Sequence, residues 1–588
     1  MIPFKPGWRS DLTPRHLWKE VIFYLRTSNV SFLIVFSIIV GLGAGFGAIL
    51  FRWMIQRITD LFFVNGGDVL GFMGSYYVIL IPAIGGLIIG PIIHFLAREA
   101  KGHGVPEVMI AVTTQGGRIR PRVAIVKALA SSICIGSGGS AGREGPIIQI
   151  GSAIGSGLGQ LFKMSDEKIK ILVACGAAAG IAATFNAPLG GIFFALEVIL
   201  RKYGLKNISS VVLSSVTATV VSRHFLGDNP AFQLPPFQLY SIWDMAGYMV
   251  FGLVTALIAW LYIKTLYMSE DIFNKLKIPS YIKPAAGGLI VGLVGLYFPQ
   301  VFGVGYKVIE DSISGSFALP IIIALIFLKI FATSVTLGSG GSGGIFAPSL
   351  FIGALLGESF GLILKLVIPT IQIPPGAFAL VGMAAMFAGT AMAPISAIML
   401  LFEMTGNYKI LPPLMITCVI TAILVRWLAR YSIYTLKLVR RGILVEDYDV
   451  ENFMETITVS EALTKETVSV SQSDTVRDVG LMIKATNHRG FPVLDGNDKL
   501  VGMVTRKDIN RALDKGGAGV EVKQCMSKDL IVCYPDESLK TALRKLAEKN
   551  IGRIPVVGRE NRSKLIGLIT RKNIIATYNQ FLKKRAES

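Results

Sequence analysis

Between Phe32 and Leu428 one apolar run follows another, and most of them are broken by Gly or Pro. A straight membrane crossing takes about 20 apolar residues. Several of these runs are shorter, which predicts helices that enter a bilayer and stop inside it. Backbone that leaves the helical path at that depth needs protein or a polar cavity around it. The pattern therefore predicts a polytopic α-helical membrane protein with tilted and broken helices and an internal pathway, as in a channel or transporter. From about Glu446 the pattern changes to charged, mixed sequence with short apolar strands and amphipathic helices. That change predicts a membrane domain over 1–445 and a soluble α/β unit over 446–588.

The apolar part repeats itself. Lys127–Gly155, KALASSICIGSGGSAGREGPIIQIGSAIG, lies without a gap on Lys329–Gly357, KIFATSVTLGSGGSGGIFAPSLFIGALLG, displaced by 202 residues. Gly176–Glu197 lies on Gly382–Glu403, displaced by 206, which aligns Pro188 with Pro394 and Glu197 with Glu403. Two halves follow, roughly 30–225 and 243–428. Matched Gly/Pro-broken segments in two halves point to a binding site near the membrane midplane. Repeats alone do not give relative orientation; inverted halves are expected because they bring both helix ends to one site. The tail carries its own repeat, Thr467–Val493 on Leu530–Val556 and KLVGMVTRKDI (Lys499–Ile509) on KLIGLITRKNI (Lys564–Ile574). Its units fall at about 453–516 and 522–584.

GHGVP (Gly102–Pro106), GREGP (Gly142–Pro146) and GIFAP (Gly344–Pro348) each have the form G-x-x-x-P and open an apolar run. Proline suits a helix first turn, and glycine lets several N–H groups converge there. A helix N-terminus so exposed favours an anion. Glu144, within GSGGSAGREGP, places a carboxylate at such a site. Its plainer reading is a lipid-facing acid or a partner of Arg143, yet an intramembrane glutamate is a functional hypothesis by default.

Composition narrows the classes. The chain has 588 residues, is 52% hydrophobic and has a mean hydropathy of +0.59, which excludes a soluble globular protein. A net charge of +20 raises nucleic-acid binding, but the basic residues are spread along loops and tail, as expected of cytoplasmic loops near anionic lipid. Five cysteines without paired spacing predict neither a disulfide framework nor a metal site. Lys5, Arg9, Arg15, Lys19 and Arg26 predict a cytoplasmic N-terminus. Neither HExxH nor a P-loop occurs, so an intramembrane enzyme is not expected. A cation transporter would line its spans with acidic clusters; glycine-rich helix starts favour anions instead.

GSGGSAGREGP, GGIFAP, the run Asn186–Glu197 and FEMTGNY (Phe402–Tyr408) resemble the signatures of the CLC chloride channel and transporter family, and the tail resembles a tandem CBS pair. The resemblance implies a homodimer in the cell (inner) membrane, with one chloride pathway per subunit, inverted repeats and a cytoplasmic tail. It assigns the anion to the backbone N–H groups of Ile345 and Phe346 and the hydroxyl of Tyr434, with His103, Gly104, Arg143 and Gly145 beside them. It makes Glu144 the gate, which protonation would release. There are two departures. His103 stands where the family usually has serine. Val198 stands where coupled members usually carry a second, proton-relaying glutamate after Glu197, whose match to Glu403 makes it structural. The loss points to channel-like or weakly coupled conduction; the alternative is a chloride/proton antiporter with a non-standard proton route. Pro146 and Tyr434 argue against the fluoride-exporting branch. In the tail, Thr505 and Asp508, and Thr570 and Asn573, resemble adenosine-ligand signatures, with Asn573 the weaker ribose partner. The competing reading is a module for packing and dimerisation. No cofactor is required.

Overall fold

The structure is a computed structural model that describes residues 29–66, 71–201, 205–228, 244–369, 373–443, 454–455, 457–464, 467–486, 488–515, 517–549, 551–577 and 580. The basic N-terminal residues and the junction near Glu446 lie outside the described residues. The chain divides into two compact units, Met1–Leu444 and Val445–Ser588.

The first unit is helical. Its first half runs α1 (Asn29–Thr59), α2 (Tyr77–Pro91), α3 (Val105–Thr114), α4 (Arg122–Gly136), α5 (Glu144–Leu161), α6 (Asp166–Phe185), α7 (Pro188–Phe194) and α8 (Leu205–Leu226). The second half follows the same order with α9 (Asp244–Lys275), α10 (Lys283–Tyr297), α11 (Tyr306–Ile313), α12 (Leu319–Gly338), α13 (Phe346–Val367), α14 (Pro375–Ala391), α15 (Pro394–Thr405) and α16 (Leu411–Ala429); α17 (Thr435–Arg440) closes the unit. Among the described residues seven helices are long and apolar enough to cross a membrane, while α3, α10, α14 and α15 are shorter apolar helices. The mixture of long and short helices matches the interrupted hydropathy pattern.

Glycine sets the packing of α5 on α6 and of α13 on α14. A Cβ at Gly151 would collide with the Gly176 carbonyl, and one at Gly353 with the Gly382 carbonyl. Gly155 meets Leu172 and Gly357 meets Phe378 in the same way. Without side chains at these positions the helix backbones touch, and van der Waals packing takes over where no hydrophobic effect acts.

The halves also grip each other reciprocally. Glu197 accepts hydrogen bonds from the N–H groups of Ile395 (3.3 Å) and Ser396 (2.7 Å) at the start of α15. Glu403 accepts from Leu189 (2.9 Å) and Gly190 (2.7 Å) at the start of α7. Each carboxylate sits on the positive end of the other half's helix. Reciprocal contacts of this kind require a two-fold relation between the halves.

The second unit contains β1 (Val470–Ser471), β2 (Gly490–Leu494) and β3 (Leu500–Thr505), with β1 parallel and β3 antiparallel to β2. A second pair, β4 (Arg553–Val557) and β5 (Leu565–Thr570), is antiparallel. Helices α18 (Val459–Ala462), α19 (Val476–Thr486), α20 (Arg506–Asp514) and α21 (Leu539–Glu548) cover them. The counterpart of β1 is reduced to a single parallel bridge, Cys533 to Val556. Two apolar cores form, and the chain crosses between them: Val459 and Ala462 complete the core of the second repeat, and Val522 completes that of the first.

Candidate anion site

Among the described residues the start of α11, like those of α3, α5 and α13, is opened by a glycine loop. Gly104 precedes α3 with φ 80°, and Gly305 precedes α11 with φ 85°, a backbone region that side chains disfavour. The loop before α11 reads GVGYK (Gly303–Lys307). It is the repeat counterpart of GHGVP but lacks the proline, so a proline-based pattern passes over it.

Two buried lysines hold these loops. Lys127 Nζ donates to the carbonyls of Ala100 (2.9 Å) and Gly102 (2.7 Å). Its repeat counterpart, Lys329, donates to Val301 (2.9 Å) and Gly303 (3.0 Å). The loops before α5 and α13 are tied directly: Gly142 N–H donates to the Gly344 carbonyl at 2.7 Å, and Gly344 returns the bond at 2.5 Å. Gly102 joins them by donating to the Gly341 carbonyl at 2.9 Å. A Cβ at Gly145 would strike the His103 carbonyl, so glycine is what lets the loops meet.

Glu144, at the start of α5, is fully buried, with 0% exposure. Its Oε2 accepts the Ala347 N–H in the first turn of α13 at 3.3 Å. Its Oε1 accepts the Tyr306 hydroxyl at 2.5 Å. Arg143 Nε lies 3.9 Å from Oε1, and its guanidinium stands 4.9 Å over the Tyr306 ring. The carboxylate thus sits at a helix N-terminus, in the niche that physical chemistry assigns to an anion. Ala347 and Tyr306 are not among the residues that the sequence singles out. Ala347 directly follows the assigned pair Ile345 and Phe346; Tyr306 can be found by carrying GHGVP across the repeat.

The other expected residues fall as follows. Ile345 is the residue before α13, and Phe346 opens that helix with its ring 4.1 Å from Phe387 and 5.1 Å from Phe185. Tyr434, 1% exposed, has its ring 5.8 Å from that of His103. Its segment is held by Tyr267, whose hydroxyl donates to the Ile433 carbonyl at 2.6 Å. His103 is buried, and among the described residues its Nδ1 has no hydrogen-bond partner. Such an orphan atom fits a ligand-facing position. Val198 is buried with an apolar side chain. A cavity of about 220 Å³ lies beside the site, lined by Arg52, Arg143, Thr184, Asn186, Tyr306 and Glu310 among others.

Two basic features have partners that the sequence does not reveal. Arg440 pairs with Asp271 through two bonds of 2.7 and 3.1 Å. Arg441 pairs with Glu107 through two bonds of 3.0 and 2.6 Å. These arginines, in KLVRR (Lys437–Arg441), serve as ties within the membrane unit. In the tail, Asp508 Oδ2 accepts from Thr505 N (3.0 Å) and Oγ1 (2.6 Å), forming a capping box for α20. Asn573 accepts from Thr570 N at 3.1 Å and from its hydroxyl.

Glycine-opened helix starts converging on a buried carboxylate define a membrane protein built to handle anions. Residues 85–426 match the voltage-gated chloride channel family, and residues 459–515 and 522–579 match the CBS domain. The chain belongs to the CLC family of chloride channels and transporters and carries a tandem CBS pair, so it transports anions across a membrane. It is 34% identical to the H(+)/Cl(-) exchange transporter ClcA of Vibrio parahaemolyticus over 71% of this chain and 92% of that one. It is 28% identical to the chloride channel protein CLC-f of Arabidopsis thaliana over 84% of this chain and 72% of that one. A slow cyanobacterial Cl-/H+ antiporter superposes with a TM-score of 0.65 at 27% identity, covering 70% of this chain and 97% of its own. A eukaryotic CLC transporter shares the fold, with a TM-score of 0.61 at 22% identity over 92% of this chain and 97% of its own.

Proposed function

We propose that the protein carries chloride through a pathway closed by the Glu144 carboxylate, in each subunit of a homodimer in the cell membrane, with the CBS pair on the cytoplasmic side as a regulatory module. The observation that carries this reading is the bond from Ala347 N–H to Glu144 at the start of α13. A carboxylate there competes with an anion for the same donors, and protonation removes its charge and its hold. The N–H groups of Ile345 and Phe346, the Tyr434 hydroxyl, and His103 with Gly104, Arg143 and Gly145 would coordinate the passing ion. Conduction is channel-like or weakly coupled to protons: Val198 has no proton to give, and Glu197 is engaged in holding α15. An adenine nucleotide at Thr505 and Asp508, or less completely at Thr570 and Asn573, is the regulatory ligand that the tail's motifs favour.

A second reading, tight chloride/proton exchange, is favoured by the likeness to ClcA and to the cyanobacterial antiporter, both named as exchangers. Reversal potentials of purified protein in liposomes separate the two. A value near the chloride Nernst potential, displaced little by an added pH gradient, is expected. Chloride-driven uphill proton movement that vanishes in Glu144→Gln would establish exchange instead. Chloride flux in that variant should lose its difference between about pH 4.5 and 7.5; a retained difference removes Glu144 as the gate.

A further inference from the structure

Tyr306 has a geometry that packing alone does not account for. It is the first residue of α11, at the point where α3 in the other half has Val105. An apolar side chain fills that position in one half. In the other, an aromatic ring fills it and extends a hydroxyl to Glu144 Oε1 at 2.5 Å. The ring also carries the Arg143 guanidinium at 4.9 Å, and it lines the cavity that holds Arg52 and Arg143. Tyr306 therefore stands between that cavity and the buried carboxylate.

We propose that Tyr306 is a positioning residue for the gate: its hydroxyl latches the charged Glu144 side chain at the start of α13 and so sets the proton concentration at which the pathway opens. This rests on the reading of Glu144 as the gate. The sign follows from the hydrogen bond. A phenol donating to a carboxylate makes a charge-assisted bond, roughly twice as strong as a neutral one. Protonation of Glu144 removes the assistance, so the hydroxyl favours the charged, closed form. Loss of the hydroxyl makes opening easier and moves it to higher pH.

The other charged or titratable groups around the carboxylate are Arg143 beside it, Arg52 on α1, Glu310 on α11, Tyr434 before α17 and His103 before α3. They remain in a Tyr306→Phe variant, and the two arginines still favour the charged form. The variant is therefore expected to loosen the gate without abolishing it. Phenylalanine keeps the ring against which Arg143 packs and removes the hydroxyl's contacts with Glu144 and with Arg143.

The experiment measures chloride flux against pH in proteoliposomes for the parent, Tyr306→Phe, Glu144→Gln and the double variant, each checked for a single size-exclusion peak. Tyr306→Phe is expected to raise the opening midpoint by about one pH unit, a tenfold change in proton affinity of the gate. The double variant is expected to match Glu144→Gln, because Tyr306 acts through the carboxylate. An unchanged midpoint in Tyr306→Phe, with Glu144→Gln losing its pH dependence, overturns the latch and leaves the gate standing. A Tyr306→Phe effect that persists on the Glu144→Gln background overturns it as well, by showing that the hydroxyl acts on the pathway directly. If Glu144→Gln keeps the parent's pH dependence, the gate and the latch fall together.

Discussion

The two halves of the membrane unit are most informative where they are compared position by position. Lys127 and Lys329 each pin a pair of loop carbonyls. Glu197 and Glu403 each hold the other half's helix start. Gly151 and Gly353 each admit a neighbouring backbone. At these positions both halves keep the same residue, and the role is to hold the frame. At three others they part: Glu144 against Phe346, His103 against Val304, and Val105 against Tyr306. These lie at or beside the candidate anion site. The shared frame needs both copies of a structural device, whereas a single gate needs one carboxylate. On the proposed reading of Glu144 as the gate, divergence at these positions falls at the chemistry and identity at the scaffold.

The glycines give the largest test of that division. Gly151→Val and Gly353→Val would each force a branched side chain into a carbonyl of the neighbouring helix. Backbone cannot yield as a side-chain tip does, so each should cost roughly 3 kcal/mol or more. Both variants are expected to lose the monodisperse size-exclusion peak in detergent, or to melt far below the parent. If one variant is lost and the other is as stable as the parent, the halves are not equivalent scaffolds.

The paired glutamates give a smaller and sharper test. Glu197→Gln and Glu403→Gln keep the shape but remove the charge from each helix start. Each should cost about 1–2 kcal/mol, the worth of a charge-assisted bond at a helix N-terminus. Thermal melts in detergent should fall by similar amounts, and reversal potentials in liposomes should stay at the parent value for both. A change in proton dependence confined to Glu197→Gln would break the symmetry. It would move Glu197 from the frame into a proton route and make Val198 irrelevant to coupling.

Most of the frame is legible in the sequence itself. Gly/Pro interruptions locate the broken helices, and two displacements expose the halves. GREGP and GIFAP bring Glu144 and α13 together because both loops repeat one motif. What escapes depends on through-space partners. Tyr306 at the start of a short helix has no local mark, since its partner, Glu144, lies in the other half. Nothing local to Arg440 and Arg441 names their partners, because Asp271 and Glu107 are far away in sequence. In the tail, the two repeats are contiguous in sequence but exchange pieces of core, as Val459 and Val522 do. Hydrophobic periodicity says which face is buried and not against which core.

The smallest effect expected comes from carrying the same comparison into the tail, at Asp508 and Asn573. Both residues accept from the threonine three positions earlier, so both cap a helix, and capping needs no charge. Asp508→Asn should therefore lower the melting temperature slightly, for a cost of about 0.5–1 kcal/mol from the lost charge at the start of α20. Asn573→Asp should be close to neutral, because the Thr464 hydroxyl that now accepts from Asn573 Nδ2 at 3.0 Å can turn to donate. Ribose recognition makes a different demand. Two sugar hydroxyls want two acceptors, which a carboxylate has and an amide lacks. The capping bonds of Asp508 both go to Oδ2, so Oδ1 lies outside the capping box. Titration calorimetry with an adenine nucleotide should show affinity falling about tenfold in Asp508→Asn, well beyond what the small stability change explains. Equal nucleotide affinity in parent and variant would reduce Asp508 to a cap, and divergence between the tail repeats would then mark no chemistry there. No nucleotide binding in the parent would reduce Thr505, Thr570 and Asn573 to the same role, leaving the tail's two motifs as matched caps on a packing module.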